Sequence, residues 1–292
     1  ATNKLLIRQS RPLPLAPAGD AISQSVRDNY ISPLIAGFKI EAFNNDSTTM
    51  VIKVNDIYDG TETSINNVFT NINLGTSAIK NLSRILSIKS FDNNVVATSE
   101  LTTRVTEGTT TIYVTVEVSS SILLLPEVPM TGRLDNPRVG YFTNPLTNFS
   151  DGQQRVNKKQ FITRWRLEPR PEDRAAYLRG ELVEPRKPIV FYIENSTPYR
   201  WRKYIKQGIE DWQVAFERAG FKNAIIAKDI TEDMEVDMDD VNYSVLTYAA
   251  STKANAMGPS ILDPRSGEIL EADIMWWHNV LSMLQEWITV QT

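Results

Sequence analysis

The sequence contains no cysteine. That excludes a disulfide framework, a zinc–thiolate site and a cysteine nucleophile. Histidine is almost absent as well, with His278 the single one. Zinc enzymes usually offer two or three imidazoles to the metal, so an ordinary multi-histidine zinc site cannot be assembled from these residues alone. A Ser–His–Asp hydrolase would need only one. No apolar run approaches the roughly 20 residues that span a bilayer, so no transmembrane segment is expected. The net charge is −4, with 31 basic against 35 acidic residues and no polybasic stretch. Neither nucleic acid nor an anionic membrane surface is indicated as a partner. With only 13 glycines, the chain is not collagen-like. Gly-rich phosphate loops and Gly-x-Ser-x-Gly elbows are also missing. The sequence opens Ala-Thr-Asn, without a charged start and apolar leader. The expectation is a mature or trimmed product from which any export signal has been removed.

What remains is ordinary globular material. Hydrophobic residues make up 41% and charged residues 23% of 292 positions, enough apolar surface to offset chain entropy and enough length for two domains. The composition shifts near the middle. Residues 1–150 hold 18 Thr, 15 Ser and 15 Asn, while 151–292 hold 7, 6 and 6 together with all six Trp. The first half reads as β. Met50, Ile52 and Val54 alternate, as do Phe38, Ile40 and Ala42, and Ile112, Val114, Val116 and Val118 do so most cleanly. Turn signals separate them at Asn44-Asn45-Asp46, Asp59-Gly60, Asp92-Asn93-Asn94 and Glu107-Gly108. A short helix fits 77–82. This half is expected to be a structural or docking domain. Eight prolines punctuate 126–188, which therefore reads as a linker or a strap, with a strand over 160–167 and a short helix over 171–179.

The second half reads as α/β. Ile189-Val190-Phe191-Tyr192-Ile193 is a continuous apolar strand, the pattern of burial on both faces. Thr197 is placed as N-cap with Pro198 at the first helical position. One long helix is expected over 198–219, with Trp201, Ile205, Ile209, Trp212, Phe216 and Ala219 on its inner face. Gly220 fits the left-handed position after it. Strands follow at 224–227 and 244–250. Asp263-Pro264-Arg265-Ser266-Gly267 reads as a hairpin turn between 260–262 and 268–274. A last helix is expected from Asp273 or Met275 to the end. Its apolar positions Trp276, Trp277, Leu281, Leu284 and Ile288 wrap more than half the circumference, so it needs cover on several sides. Without a Gly, Pro or basic last turn, the ending reads as a cut from a longer protein.

Three constellations could carry chemistry. His278 lacks a ligand-type residue three or four positions away and reads as a helix-face histidine with a local hydrogen bond. Carboxylates alternate at Asp233, Glu235, Asp237 and Asp239, but the central Gly and terminal Glu of a calcium loop are missing, so a solvated acidic loop is favoured. Asp263, Glu268, Glu271 and Asp273 flank one hairpin. Two of them could do acid–base work, although hairpin charges are usually solvated.

Several long motifs resemble one family. They are Lys187-Pro188-Ile189-Val190-Phe191-Tyr192-Ile193, then Trp201-Arg202-Lys203-Tyr204-Ile205-Lys206-Gln207-Gly208-Ile209-Glu210-Asp211-Trp212, then Phe216-Glu217-Arg218-Ala219-Gly220-Phe221-Lys222-Asn223-Ala224-Ile225. Ala256-Met257-Gly258-Pro259-Ser260 and Asp263-Pro264-Arg265-Ser266-Gly267-Glu268-Ile269 complete the set. Together they resemble large bacterial zinc-dependent metallopeptidases, in which a metzincin-like catalytic domain follows an N-terminal domain of unknown function. The resemblance is specific over 160–290 and weak over 1–140. It implies an α+β chain, with an antiparallel β-rich domain at 1–140, a Pro-rich connection at 141–187, and at 188–292 the upper, pre-zinc half of the peptidase domain, a mixed sheet with a long helix. It implies a secreted, periplasmic or cell-envelope location. It also implies zinc in the parent protein and a peptide or protein substrate. The family's His-Glu-x-x-His helix would lie downstream, and no His-Glu pair occurs here. No metal, no cofactor and no catalytic residue is therefore expected on this chain, which would need the downstream catalytic segment as its partner.

What the resemblance leaves to this chain is substrate positioning. The edge strand above the zinc would be 257–262, and Met257, Gly258, Pro259, Ser260 and Ile261 would hold an extended peptide by β-augmentation. An edge strand blunted by Pro259 and paired to nothing is the competing reading. A non-catalytic binding module on a peptidase-like scaffold, and a hydrolase working through the hairpin carboxylates, remain open beside the peptidase fragment.

Overall fold

The computed structural model describes residues 3–9, 16–74 and 77–291. The fold is mixed α+β and divides into two compact units, 1–124 with 145–159, and 125–144 with 160–292. Of the proline-rich stretch 141–187, residues 145–159 fall in the first unit and the rest in the second.

In the first unit, β1 (Lys4–Arg8), β2 (Leu34–Phe43) and β3 (Met50–Ile52) form an antiparallel sheet, with α1 (Ile22–Asn29) inserted between β1 and β2. Asp151 satisfies the first N–H groups of α1, accepting from Ala21 at 2.6 Å and Ile22 at 3.0 Å, so a distant carboxylate does the work of a local cap. Phe38 and Ile40 turn inward on β2 as their alternation requires, whereas Ala42 is exposed. β3 ends at Ile52, so Val54 instead leads into α2 (Asn55–Tyr58). There it packs with Phe38 and Ile85 on Ile57, Tyr58 and Ala97. A second short helix, α3 (Val68–Asn71), buries Phe69. The helix expected over 77–82 is a single 3-10 turn at Lys80–Leu82. β4 (Arg84–Ser90), β5 (Asn94–Glu107) and β6 (Thr110–Leu123) make a second antiparallel sheet. The β5–β6 turn uses Gly108 at φ +62, a conformation glycine adopts without a Cβ penalty. β7 (Thr143–Ser150) and β8 (Gln153–Ile162) form a two-stranded sheet.

In the second unit, β9 (Arg164–Trp165) and a 3-10 turn lead into α4 (Arg174–Leu178), close to the helix expected there, whereas the strand expected over 160–167 is divided between the end of β8 and β9, in different sheets. β10 (Ile189–Ile193) is central. The chain leaves it through α5 (Tyr199–Glu210) and α6 (Gln213–Arg218), then builds β11 (Ile225–Asp229), β12 (Ser244–Ala249), β13 (Ala256–Met257), β14 (Ser260–Asp263), β15 (Glu268–Ala272) and β16 (Ile274–Trp277), and ends in α7 (Val280–Gln291). One five-stranded sheet has the order β11-β10-β12-β16-β13, and a three-stranded one has the order β14-β15-β9. The first four strands of the larger sheet run parallel and β13 is antiparallel at its edge. Ile189, Phe191, Ile193, Ile209, Ile225 and Leu246 form the core on it.

Three sequence expectations are corrected. The helix over 198–219 is two helices. Its first cap is Pro198, at ψ 128, and Thr197 lies buried with its hydroxyl unbonded. The break falls at Asp211–Trp212, where the Gln213 side chain turns to accept N–H bonds from Ala224 at 2.9 Å and Ile225 at 3.3 Å. Trp212 stays on the face of Ile205, Ile209 and Phe216, but that face opens there into a cavity, so Trp212 is 65% exposed while Ile209 is 7% exposed. Trp276 and Trp277 are not helical but lie on β16, between β12 and β13. An apolar run with ladder partners on both sides cannot be told from a helix face by periodicity. Finally, 257–262 is not one strand. Gly258-Pro259 divides it between two sheets, because proline brings no ladder N–H. By contrast, Gly220 does take the left-handed position after α6, at φ +96. A Cβ there would come within 2.6 Å of the Tyr177 ring.

These placements separate two neighbouring apolar positions. Ile209→Ala is expected to destabilise the protein by about 2–4 kcal/mol, and Trp212→Ala by no more than about 0.5 kcal/mol. Urea unfolding of the two variants checks the assignment, and a reversed order would refute it.

Candidate functional site

The sheet edge at β13 and the β14–β15 hairpin beside it are built by local rules. Ala256 pairs with Trp276 and Met257 with Met275, both on the inner side of β13. Its outer side has no ladder partner among the described residues, and Met257 is 49% exposed. Gly258 needs neither positive φ nor missing bulk, since an added Cβ would sit 3.7 Å from the Asp273 carbonyl, an ordinary contact. Pro259 accepts the Asp273 N–H at 3.0 Å. Ser260 and Ile261 then enter β14, opposite Ala272 and Glu271. Of the five residues singled out in the sequence, Met257 to Ser260 form an exposed rim running from one sheet into the next, and Ile261 is half-buried at its end.

The turn closes as the pentapeptide suggests. Gly267 sits at φ +75 and donates to the Asp263 carbonyl at 2.9 Å. The hairpin carboxylates, however, are not solvated. Asp263 is fully buried, and Glu268 and Glu271 are nearly so. Burying charge costs several kcal/mol unless it is paired or neutralised, and the hairpin uses both remedies. Burial pushes the Asp263 carboxyl up, but hydrogen bonds from the Arg265 side chain and backbone outweigh it and hold it below the usual carboxylate range. Those bonds are a fork, with Arg265 Nε at 3.0 Å from Oδ1 and Nη2 at 2.7 Å from Oδ2. Arg265 Nη2 also donates to the Pro126 carbonyl at 2.6 Å. Glu268 faces Arg166 at 3.7 Å.

Glu271 takes the other course. Burial first, and then Asp273 beside it, push its carboxyl up to about 8, so at neutral pH it holds its proton. Asp273 accepts the Val245 N–H at 2.8 Å, which ties the hairpin's end to the start of β12. A carboxylic acid next to a carboxylate is an acid–base arrangement in kind, but Glu271 is only 8% exposed. Sequence reasoning found all four carboxylates and missed their partners. The Asp263-x-Arg265 spacing of an Asx turn was the available signal for one of them.

The other candidates do not converge on a site. His278 lies in the β16–α7 turn, not on a helix, with Nδ1 hydrogen-bonded to the Tyr248 hydroxyl at 2.8 Å. In the acidic run, Asp237 accepts the Asp239 N–H at 3.0 Å and Asp233 accepts the Thr231 hydroxyl. Among the described residues no three His, Cys, Asp or Glu side chains are placed to hold a metal ion. One feature was not foreseen. An open apolar cavity of about 630 Å³ lies between α5, the five-stranded sheet and α7, lined by Trp165, Trp201, Ile205, Leu246, Trp276 and Leu281 among others.

The Glu271 assignment has a pH signature. Its folded pKa lies above its unfolded value, so the folded state binds the extra proton and stability falls as pH rises from about 4.5 to about 8. Glu271→Gln keeps a neutral hydrogen-bonding side chain and should remove that decline, gaining up to about 5 kcal/mol relative to the parent between those limits. Denaturant unfolding at pH 5 and pH 8 measures it. Parallel pH dependences in the two proteins would show that Glu271 is ionised in the fold.

No curated protein and no solved structure matches the chain. Residues 1–170, more than half of the sequence, match a family described as a domain of unknown function (DUF5117). The chain belongs to the DUF5117 family.

Proposed function

We propose that this chain is the N-terminal portion of a zinc-dependent metallopeptidase that cleaves peptide or protein substrates, and that Met257, Gly258, Pro259, Ser260 and Ile261 position the substrate. The observation that carries the reading is β13, a short exposed strand running antiparallel at the edge of an otherwise parallel sheet. Its free backbone can add an extended peptide as a further strand. The long motifs over 187–269 support the same reading. So does the strand order, in which the helix pair α5–α6 follows the first strand and the edge strand precedes the last.

The donor set of this chain does not fit zinc. Its single histidine is held by Tyr248, and the buried hairpin carboxylates are paired with arginine or share a proton. In this reading the ligands and the general base come from a downstream segment, and residues 1–292 bind and orient the peptide. The apolar cavity and the exposed end of α7, where Trp287 is 54% exposed, are surfaces that segment would cover. Export of the parent protein to the periplasm, the cell envelope or the medium belongs to the same proposal.

Metal analysis and peptide-cleavage assays on the full-length gene product and on residues 1–292 test it. The full-length protein should hold one zinc and lose activity to a chelator, whereas 1–292 should hold none after dialysis. Gly258→Val in the full-length enzyme should raise KM about tenfold with kcat little changed. A gene product without a His-Glu-x-x-His segment would favour the non-catalytic binding module. A KM unmoved by Gly258→Val would remove the rim from the substrate path.

A further inference from the structure

The first unit has a sheet edge that its own sequence leaves unguarded. β6 is the outer strand of the β4-β5-β6 sheet, and one side of it has no ladder partner among the described residues. Natural edges are usually blunted by proline, lysine, a bulge or short length. β6 runs 14 residues in unbroken register with β5, contains no proline or lysine, and carries one charge, Glu117. Burial also drops across the sheet. Ser99, Leu101 and Thr103 on β5 are 3%, 2% and 3% exposed. Their partners on β6, Val118, Val116 and Val114, are only half-buried. The apolar stripe runs to the edge, and no further strand among the described residues continues it. At the strand's far end Asn66 bonds the Ser120 hydroxyl at 3.1 Å, so the open part is 112–118.

We propose that this edge pairs with the same edge of a second copy of the chain, antiparallel about a two-fold axis, to make one continuous six-stranded sheet. Such a pairing must set even positions opposite even positions to keep the valines on one face. With Thr115 on the axis, Val114 faces the second copy's Val116 and Ile112 faces its Val118, so the stripe continues across the junction. The same register places Tyr113 opposite the second copy's Glu117. Arg104 of β5 already lies over the Tyr113 ring, 5.3 Å from its centroid. Its guanidinium is therefore set beside that Glu117, and symmetry repeats the pair. Charge complementarity selects a second copy over an unrelated strand, which would satisfy the backbone without matching Arg104 to Glu117. The inference is independent of any peptidase activity.

Sedimentation equilibrium of the full chain from about 1 to about 200 µM tests it. A reversible dimer is expected. Glu117→Arg, at an exposed position, sets two arginines together and should weaken the dimer about tenfold or more. Arg104→Glu combined with Glu117→Arg restores the opposite charges and should recover most of the loss. Circular dichroism confirms that each variant is folded. A chain that stays monomeric over the whole range overturns the proposal, including one that accepts a foreign strand peptide at this edge. So does a dimer indifferent to Glu117→Arg, or a double variant that fails to recover.

Discussion

The second unit depends on one constraint, a central parallel strand with both backbone edges and one face closed. β10 is hydrogen-bonded to β11 on one side and β12 on the other. Its residues Ile189, Phe191 and Ile193 are buried in turn, and Ile193 is fully so. A parallel pair needs a crossover, and α5–α6 supplies it between β10 and β11. Ile205, Ile209 and Phe216 then bring that crossover onto the core. The same demand fixes β16, which closes the free edge of β12 before the short antiparallel β13 ends the sheet. β13 is exposed because the order of strands puts it last.

The hairpin beside β13 shows how a buried acidic segment is tolerated. Four carboxylates fall within 263–273, and an apolar surrounding penalises each as an anion. Asp263 keeps its charge because Arg265, two residues on, folds back to it in a fork. Glu271 gives up its charge because its neighbour is Asp273. Asp273 in turn is held by the Val245 N–H. The outcome couples the hairpin to the start of β12, so the rim 257–261 rests on two sheets at once.

The first unit solves a different problem with weaker means. Its strands are rich in Thr and Ser, and the best-buried residues of the β4-β5-β6 sheet, such as Ala97 and Leu101, lie on the middle strand β5. A three-stranded sheet has two edges for one centre. The apolar face therefore thins toward β6, where the valines are only half covered. Charge is sparse on that edge, which makes its position relative to any further strand depend on Arg104 and Glu117.

Much of this was readable in one dimension, for identifiable reasons. Strand 189–193, the alternation of Val114, Val116 and Val118, the turn at 263–267 and the left-handed Gly220 all follow from steric rules that act within a few residues. The compositional break marked two kinds of unit, although the path between them was not legible, since 145–159 returns to the first. Tertiary structure decided the rest. Trp276 and Trp277 are strand residues because β12 and β13 offer hydrogen bonds on both sides. The 198–219 helix breaks because Gln213 finds unpaired N–H groups at Ala224 and Ile225. Glu271 holds a proton only because folding takes it from water and sets Asp273 beside it. Local conformation is chosen by short-range sterics that the sequence states directly. Ladder partners, desolvation and the ionisation of a buried carboxyl belong to contacts between residues far apart in the chain, and they exist only once the fold has formed.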